Sequence, residues 1–177
     1  EDSGGNVGET VDPKLALRYQ ATDNIALRGS VSTTFRGPPQ NFLQGRGTAL
    51  SFVAATNAFK AIDTVGNPEL QQEEAVASNF GVIFDYPNFF GSIDYWQFYF
   101  TDPLQVENFN GIVSAYGTNG CTDPAVASTA CEELRGKITF QTGAAAVPAN
   151  ITRISRVFTN GGDITTSGFD WFGQYDF

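Results

Sequence analysis

The sequence predicts an all-β chain: an antiparallel sheet of about five strands that crosses a membrane as part of a β-barrel too small to close. Three observations carry this. Apolar and polar residues alternate with period two in three separate stretches, which sends them to opposite faces of a strand. The connections between strands run short, long, short, long. Composition points the same way, because 19 glycines and 16 phenylalanines among 177 residues suit strands and turns better than helices.

Taken in order, residues 1–12 read as the tail of a loop, polar and glycine-rich, without a secretory signal. Lys14 to Arg36 then forms a hairpin folded at Thr22-Asp23-Asn24. Its first strand sets Leu15, Leu17 and Tyr19 against Ala16, Arg18 and Gln20. The second sets Ile25, Leu27, Val31 and Phe35 against Ala26, Arg28, Ser30, Ser32, Thr34 and Arg36. A helix would scatter residues with this period around its surface. Gly37-Pro38-Pro39 stops the strand, since proline cannot donate to a ladder.

The stretch to Gln72 is irregular by pattern. It holds Phe42, Phe52 and Phe59, and its segment LSFVAATNAF is expected to form one or two helical turns. A second hairpin follows. Val76, Phe80, Val82 and Phe84 share one face, Pro87-Asn88 makes the turn, and Asp102-Pro103 ends the returning strand. On that strand Ile93, Tyr95 and Tyr99 oppose Asp94, Trp96, Phe98 and Phe100. Aromatic residues on both faces predict a bulge or a half-buried loop base there.

Another long excursion, about Leu104 to Arg156, contains Cys121 and Cys131. Their spacing in a polar stretch predicts a local disulfide and hence an oxidising compartment. Ala125 to Arg135 is expected to include a short helix. The last segment alternates again, with Phe169, Trp171, Tyr175 and Phe177 opposite Asp170, Phe172, Gln174 and Asp176. No linker divides the chain.

A sheet with one greasy face has two homes: the surface of a soluble core, or a barrel wall between lipid and water. Two structureless loops above about 15 residues are rare in compact soluble domains. Short turns on one side and long loops on the other are the habit of outer-membrane barrels, and the strand lengths suit a tilted crossing. Aromatic residues near strand ends (Tyr19, Phe35, Phe84, Tyr86, Phe89, Phe90, Tyr175, Phe177) suit interfacial girdles. The rival is a secreted, soluble β-sandwich that binds carbohydrate or protein.

Several classes are excluded. A net charge of −9 argues against nucleic acid as a partner. No apolar run reaches about 18 residues, so no helix spans a membrane, which leaves a barrel open. Without histidine there is no nucleophile–base pair, and two cysteines leave a zinc site half empty. No phosphate loop or cofactor motif occurs. The expectation is no catalytic residue, no cofactor and no metal, with Glu73-Glu74 and Glu132-Glu133 as solvated charge.

Three motifs resemble one family. Phe35-Arg36-Gly37-Pro38 is similar to a Phe-Arg-Ala-Pro at a strand top. Asn67-Pro68-Glu69-Leu70, followed by Gln71-Gln72-Glu73, resembles Asn-Pro-(Asn/Glu)-Leu-x-Pro-Glu before the next strand. Asn160-Gly161-Gly162 through Gly168-Phe169-Asp170 resembles a later strand opening. Together, in this order, they resemble the C-terminal β-barrel region of TonB-dependent outer-membrane receptors. Gly37 and Gln72 depart from the usual alanine and proline. The resemblance implies a Gram-negative outer membrane, and active uptake of a siderophore, cobalamin or oligosaccharide. It implies as partners outer-membrane lipid, the rest of the barrel, a plug, and the TonB complex acting through that plug. Five strands cannot close the family's 22-strand barrel, and neither plug nor TonB box is visible, so residues 1–177 read as a partial barrel.

Candidate roles follow. Arg36 with Pro38 reads as a strand stop, and Asn67 to Leu70 as a turn ordering the next strand. Arg18 and Arg28 read as lumen-facing charge paired with distant acids. Phe42, Phe52, Phe59, Phe109 and Tyr116 are candidates for a ligand-binding surface on the loops.

Overall fold

A computed structural model describes residues 11–177; residues 1–10, most of the expected loop tail, lie outside the described residues. The elements in chain order are β1 (Lys14–Thr22), β2 (Ile25–Arg36), α1 (Gln40–Gln44), β3 (Arg46–Val53), β4 (Ala58–Val65), β5 (Glu73–Tyr86) and β6 (Phe89–Thr101). There follow β7 (Leu104–Val106), α2 (Phe109–Thr118), α3 (Thr129–Lys137), β8 (Ile138–Phe140), β9 (Ile151–Asn160) and β10 (Ile164–Tyr175). They form two compact units, one built on the five long strands and one on the two long excursions.

The first unit is a five-stranded sheet in the order β1-β2-β5-β6-β10, antiparallel throughout. Its register aligns the alternation of every strand. One transverse row reads Tyr19–Leu27–Val82–Ile93–Trp171, and the next Leu17–Gly29–Phe80–Tyr95–Phe169. The rows between them read Arg18–Arg28–Gly81–Asp94–Asp170 on the opposite face. A one-residue slip on any strand would mix the two faces, so the hydrophobic pattern itself fixes the register. The apolar face is exposed, with Leu17 at 71%, Phe169 at 72% and Trp171 at 82%. A β-sandwich would bury these side chains, and the soluble alternative fails on this point.

From Tyr86 to Val76 the apolar band of β5 runs ~33 Å along the strand, or ~25 Å along the normal at a ~40° tilt. That matches the lipid-facing band of an outer-membrane barrel. At its Tyr86 end, Tyr86, Phe89 and Tyr175 stand in one row as an aromatic girdle. Of the bulge or half-buried loop base expected in β6, the bulge is absent: the pairing with β5 and β10 runs without a register shift, while Phe100 and Thr101 at its end are half-buried. Its aromatic residues on the polar face have another explanation. Trp96 lies over Gly168, where a Cβ would come within 2.6 Å of Trp96 Cζ2.

The second unit corrects the reading of the excursions as irregular. LSFVAATNAF is not helical beyond the single 3-10 turn Ala54–Thr56; it closes the hairpin of β3 and β4. Short apolar runs do not declare their period, and here burial of Val53 and Ile62 on one face selects the strand. This sheet has the order β3-β4-β9-β7, with β8 also on β9, and β4 pairs β9 in parallel.

Its core contains Val53, Ile62, Ile112, Val113, Tyr116, Ile138, Ile151 and Ile154. The Cys121–Cys131 disulfide forms as expected and lies in the same core. Two helices cover it. Asn108 caps α2 by accepting from the N–H groups of Asn110 and Gly111, and Ser128 caps α3 by accepting from that of Cys131. The helix expected within Ala125–Arg135 therefore begins and ends later, at Thr129–Lys137.

Candidate functional site

Three features place chemistry on this scaffold: the polar face of the sheet, the tops of its strands, and the unit built from the excursions.

On the polar face, Arg28 of β2 reaches over β5 to Asp94 of β6. Its Nε donates to Oδ1 at 2.7 Å and its Nη2 to Oδ2 at 2.5 Å, a forked pair. The side chain of Asp94 is only 8% exposed, that of Arg28 45%. Gly81 makes the reach possible. A Cβ there would lie 1.9 Å from Asp94 Oδ1, inside the space the carboxylate fills. The expectation that Arg28 pairs with a distant acid is met at 66 residues' separation. Arg18 stands opposite Arg28, and Asp170 opposite Asp94, so each pair sets like charges side by side. Neither Arg18 nor Asp170 joins an ion pair among the described residues. Arg36 meets its register partner Glu73 at 2.9 Å, which ties the top of β2 to the start of β5.

The family-like motifs make backbone joints at the strand tops. Asn67 accepts from the N–H of Glu69 at 2.9 Å, the turn geometry expected of Asn-Pro, and donates to Phe158 O at 3.1 Å. Leu70 is buried, at 1% exposed. Asn160 acts as a second backbone: its Oδ1 accepts from Gln71 N at 2.9 Å, and its Nδ2 donates to Gln71 O at 3.0 Å and Asp102 O at 2.8 Å. Asp102 has a left-handed φ of 50°, and Asn160 holds it at that bend. Pro38 is buried, and Gly168 seats Trp96. Gly162 has open space around it.

The five loop aromatics separate. Tyr116 is 0% exposed, and its hydroxyl donates to Ala146 O at 2.7 Å, so it is a core residue and not a surface one. Phe109 packs against that core beneath the Arg156 guanidinium, 5.5 Å from the ring centre. Phe42 stacks on Phe158 with ring centres 4.0 Å apart. Phe52 and Phe59 remain exposed, edge to face across the β3–β4 hairpin at 5.7 Å. On the same hairpin face Asp63 accepts from Thr48 at 2.5 Å and from Arg153 at 2.5 and 2.7 Å. These bonds, Arg153 first and Thr48 second, hold the Asp63 carboxyl below its ordinary range.

Sequence reasoning missed Gly81 and Asp94 as one device. The available signal was a glycine in an otherwise strict strand alternation, which marks close approach by another group. It also missed α2, whose start is signalled by Asn108 but whose Gly111 and Gly117 lower helix propensity.

An antiparallel sheet with an exposed apolar band on one face, charges on the other and long connections at one end defines an outer-membrane β-barrel wall. The family model for the TonB dependent receptor-like β-barrel matches residues 2–177, and the chain belongs to that family. Its members are transport receptors, not enzymes, and reside in the Gram-negative outer membrane. No match was found among curated proteins.

Solved structures similar to the chain include the siderophore receptor PirA from Acinetobacter baumannii, at 15% identity and a TM-score of 0.58. The likeness covers 94% of this chain and 21% of that one. PirA from Pseudomonas aeruginosa is similar at 11% identity and a TM-score of 0.57, over 90% of this chain and 24% of that one. A mutant of the ferric enterobactin receptor PfeA from P. aeruginosa, in complex with enterobactin, is similar at 11% identity and 0.56, over 90% and 19%. The chain thus spans about a fifth of the length of these receptors.

Proposed function

We propose that the protein carrying this chain is a TonB-dependent receptor that takes up a scarce nutrient by active transport, and that the nutrient is a ferric siderophore. Family membership across residues 2–177 is the observation that carries the first half. The second half is supported by fold likeness to siderophore receptors, which favours that class over cobalamin and oligosaccharides. In this reading residues 1–177 are one part of the barrel, a plug fills its lumen, and the TonB complex acts through that plug.

The chain's own contribution is twofold. The sheet supplies wall, with Arg18, Arg28, Asp94 and Asp170 facing the aqueous side. The disulfide-tied unit supplies a pre-formed surface on which Phe52 and Phe59 present exposed rings to an arriving solute. A rigid platform of this kind avoids the ordering cost that a floppy loop would incur on binding.

The test is uptake by cells that depend on this protein alone, offered iron-loaded siderophores, cobalamin or maltooligosaccharides with the TonB complex intact or deleted. TonB-dependent accumulation of iron with a siderophore supports the proposal, and F52A or F59A lowers affinity about tenfold, as for loss of one buried contact. Uptake of cobalamin or saccharide alone would overturn the siderophore assignment. Accumulation indifferent to TonB would overturn the transport assignment.

A further inference from the structure

We propose that Asn119 is a modification site, its carboxamide hydrolysed to a carboxylate through a cyclic imide closed by the backbone nitrogen of Gly120. An asparagine before a glycine is prone to this reaction, because glycine has no side chain to shield its nitrogen or restrict its backbone. The sequence holds three such pairs: Asn110-Gly111, Asn119-Gly120 and Asn160-Gly161. The fold ties down the first and the last and leaves the middle one open.

Ring closure swings the side-chain amide carbon onto the following backbone nitrogen, so bonds already made by either group oppose it. At Asn160 the amide makes three hydrogen bonds, with Gln71 N, Gln71 O and Asp102 O, and Gly161 N–H donates to Pro103 O at 2.8 Å. At Asn110 the amide oxygen accepts from Ala54 N–H at 3.1 Å, and Gly111 N–H donates to Asn108 Oδ1 at 3.3 Å. Both of these asparagines are half-buried. Asn119 is exposed, and its side chain makes no hydrogen bond among the described residues. Gly120 N–H makes one, to Gly117 O at a long 3.2 Å. Gly120 follows the end of α2 with a left-handed φ of 70° and open space around its Cα, so nothing obstructs the approach. Each bond that must open first slows the reaction about two- to tenfold, which ranks Asn119 fastest and Asn160 slowest.

The step balances with water alone. The Gly120 nitrogen bonds to Asn119 Cγ, the bond from Cγ to Nδ2 breaks, and ammonia leaves with the proton from Gly120. Water then opens the imide at one of its two carbonyls, giving aspartate or isoaspartate at position 119. The new carboxylate stands at the C-terminal end of α2, where the last carbonyls already carry the negative pole of the helix. That helix places Ile112, Val113 and Tyr116 in the core, and Cys121 of the buried disulfide follows two residues on. Isoaspartate also adds one main-chain carbon between residues 119 and 120. The modification therefore slackens the disulfide-tied unit, in one direction and without an enzyme.

The protein carrying this chain, purified in detergent, is aged in mildly alkaline buffer and digested, and conversion at the three asparagines is followed by peptide mass spectrometry. A parallel sample is reduced and unfolded in urea throughout. In the folded protein Asn119 should convert at least about tenfold faster than Asn160, with Asn110 between them. In urea, where no bond protects any site, the three rates should converge. Equal rates in the folded protein, or an Asn119 that stays intact while the unfolded sample converts, overturns the site. A ranking that persists unchanged in urea overturns its structural cause. Aged protein is then separated by charge into modified and unmodified forms, and the modified form should show the lower unfolding midpoint for the disulfide-tied unit. Identical midpoints overturn the claim that the modification slackens it.

Discussion

Replacing Gly81 with alanine tests whether the polar face of the wall is organised by the reach of Arg28 to Asp94. The added methyl would sit 1.9 Å from Asp94 Oδ1 and 2.7 Å from its Cγ, so the forked pair opens or β5 moves away. The carboxylate is 8% exposed and left without its cation, whereas Arg28, at 45%, regains water readily. Breaking a fully buried pair costs about 3–5 kcal/mol; with one partner half-exposed, about 1–3 kcal/mol is the appropriate range. The assay is urea unfolding in detergent micelles, run as a cycle of G81A, D94N and the double variant. If the methyl acts by evicting the carboxylate, the double variant is destabilised by at least about 1 kcal/mol less than the sum of the singles. Additive costs would refute the reasoning, because the methyl would then harm something other than this pair.

Other consequences concern the strand-top bonds and the disulfide-tied unit. N160A removes three hydrogen bonds to Gln71 and Asp102, a loss of about 2–3 kcal/mol; amide exchange should accelerate around residues 71 and 102 and not in β1. C121S/C131S opens a ring with a sequence separation of 10, worth about 2.7 kcal/mol by chain entropy, and should lower the unfolding midpoint of the disulfide-tied unit while the five-stranded sheet keeps its own. Local order should survive, since Arg135 donates to the carbonyls of Cys121, Asp123 and Val126. Asp63 titrates below its ordinary range when folded, so its contribution is present at neutral pH and lost as acid protonates the folded carboxylate. D63N should therefore flatten the fall in the disulfide-tied unit's stability below about pH 4, measured by tyrosine fluorescence across that range.

Much of the sheet was legible because its rule is local. A strand between lipid and water must alternate, so Leu15, Leu17 and Tyr19 declare their face without reference to any partner. The two hairpins declare themselves through turns of a few residues. The disulfide-tied unit obeys no local rule. Its central contact sets Ile62 of β4 beside Ile154 of β9 in a parallel pair, and nothing near either residue names the other. The Arg28–Asp94 fork is equally remote, and only the gap at Gly81 hints at it. Of the loop aromatics, sequence supplied the residue type but not its direction. Tyr116 and Phe109 follow the 3.6-residue period of α2 into the core, whereas Phe52 and Phe59 stand on the exposed face of a hairpin in a segment expected to hold one or two helical turns. The motif asparagines were legible as turn formers, yet their bonds to Phe158 and Asp102 depend on chain brought from far along the sequence.

The central claim is that lipid lies against one face of this sheet and water against the other. Spin labels placed singly along β2 and β5 in a reconstituted bilayer measure it directly through collisions with oxygen, which partitions into lipid, and with a water-soluble nickel chelate. Oxygen access should peak at positions 27, 29, 31, 80 and 82, with nickel access peaking at 28, 30, 79 and 81. Equal access at neighbouring positions, or exclusion of both reagents from the apolar face, would contradict the account.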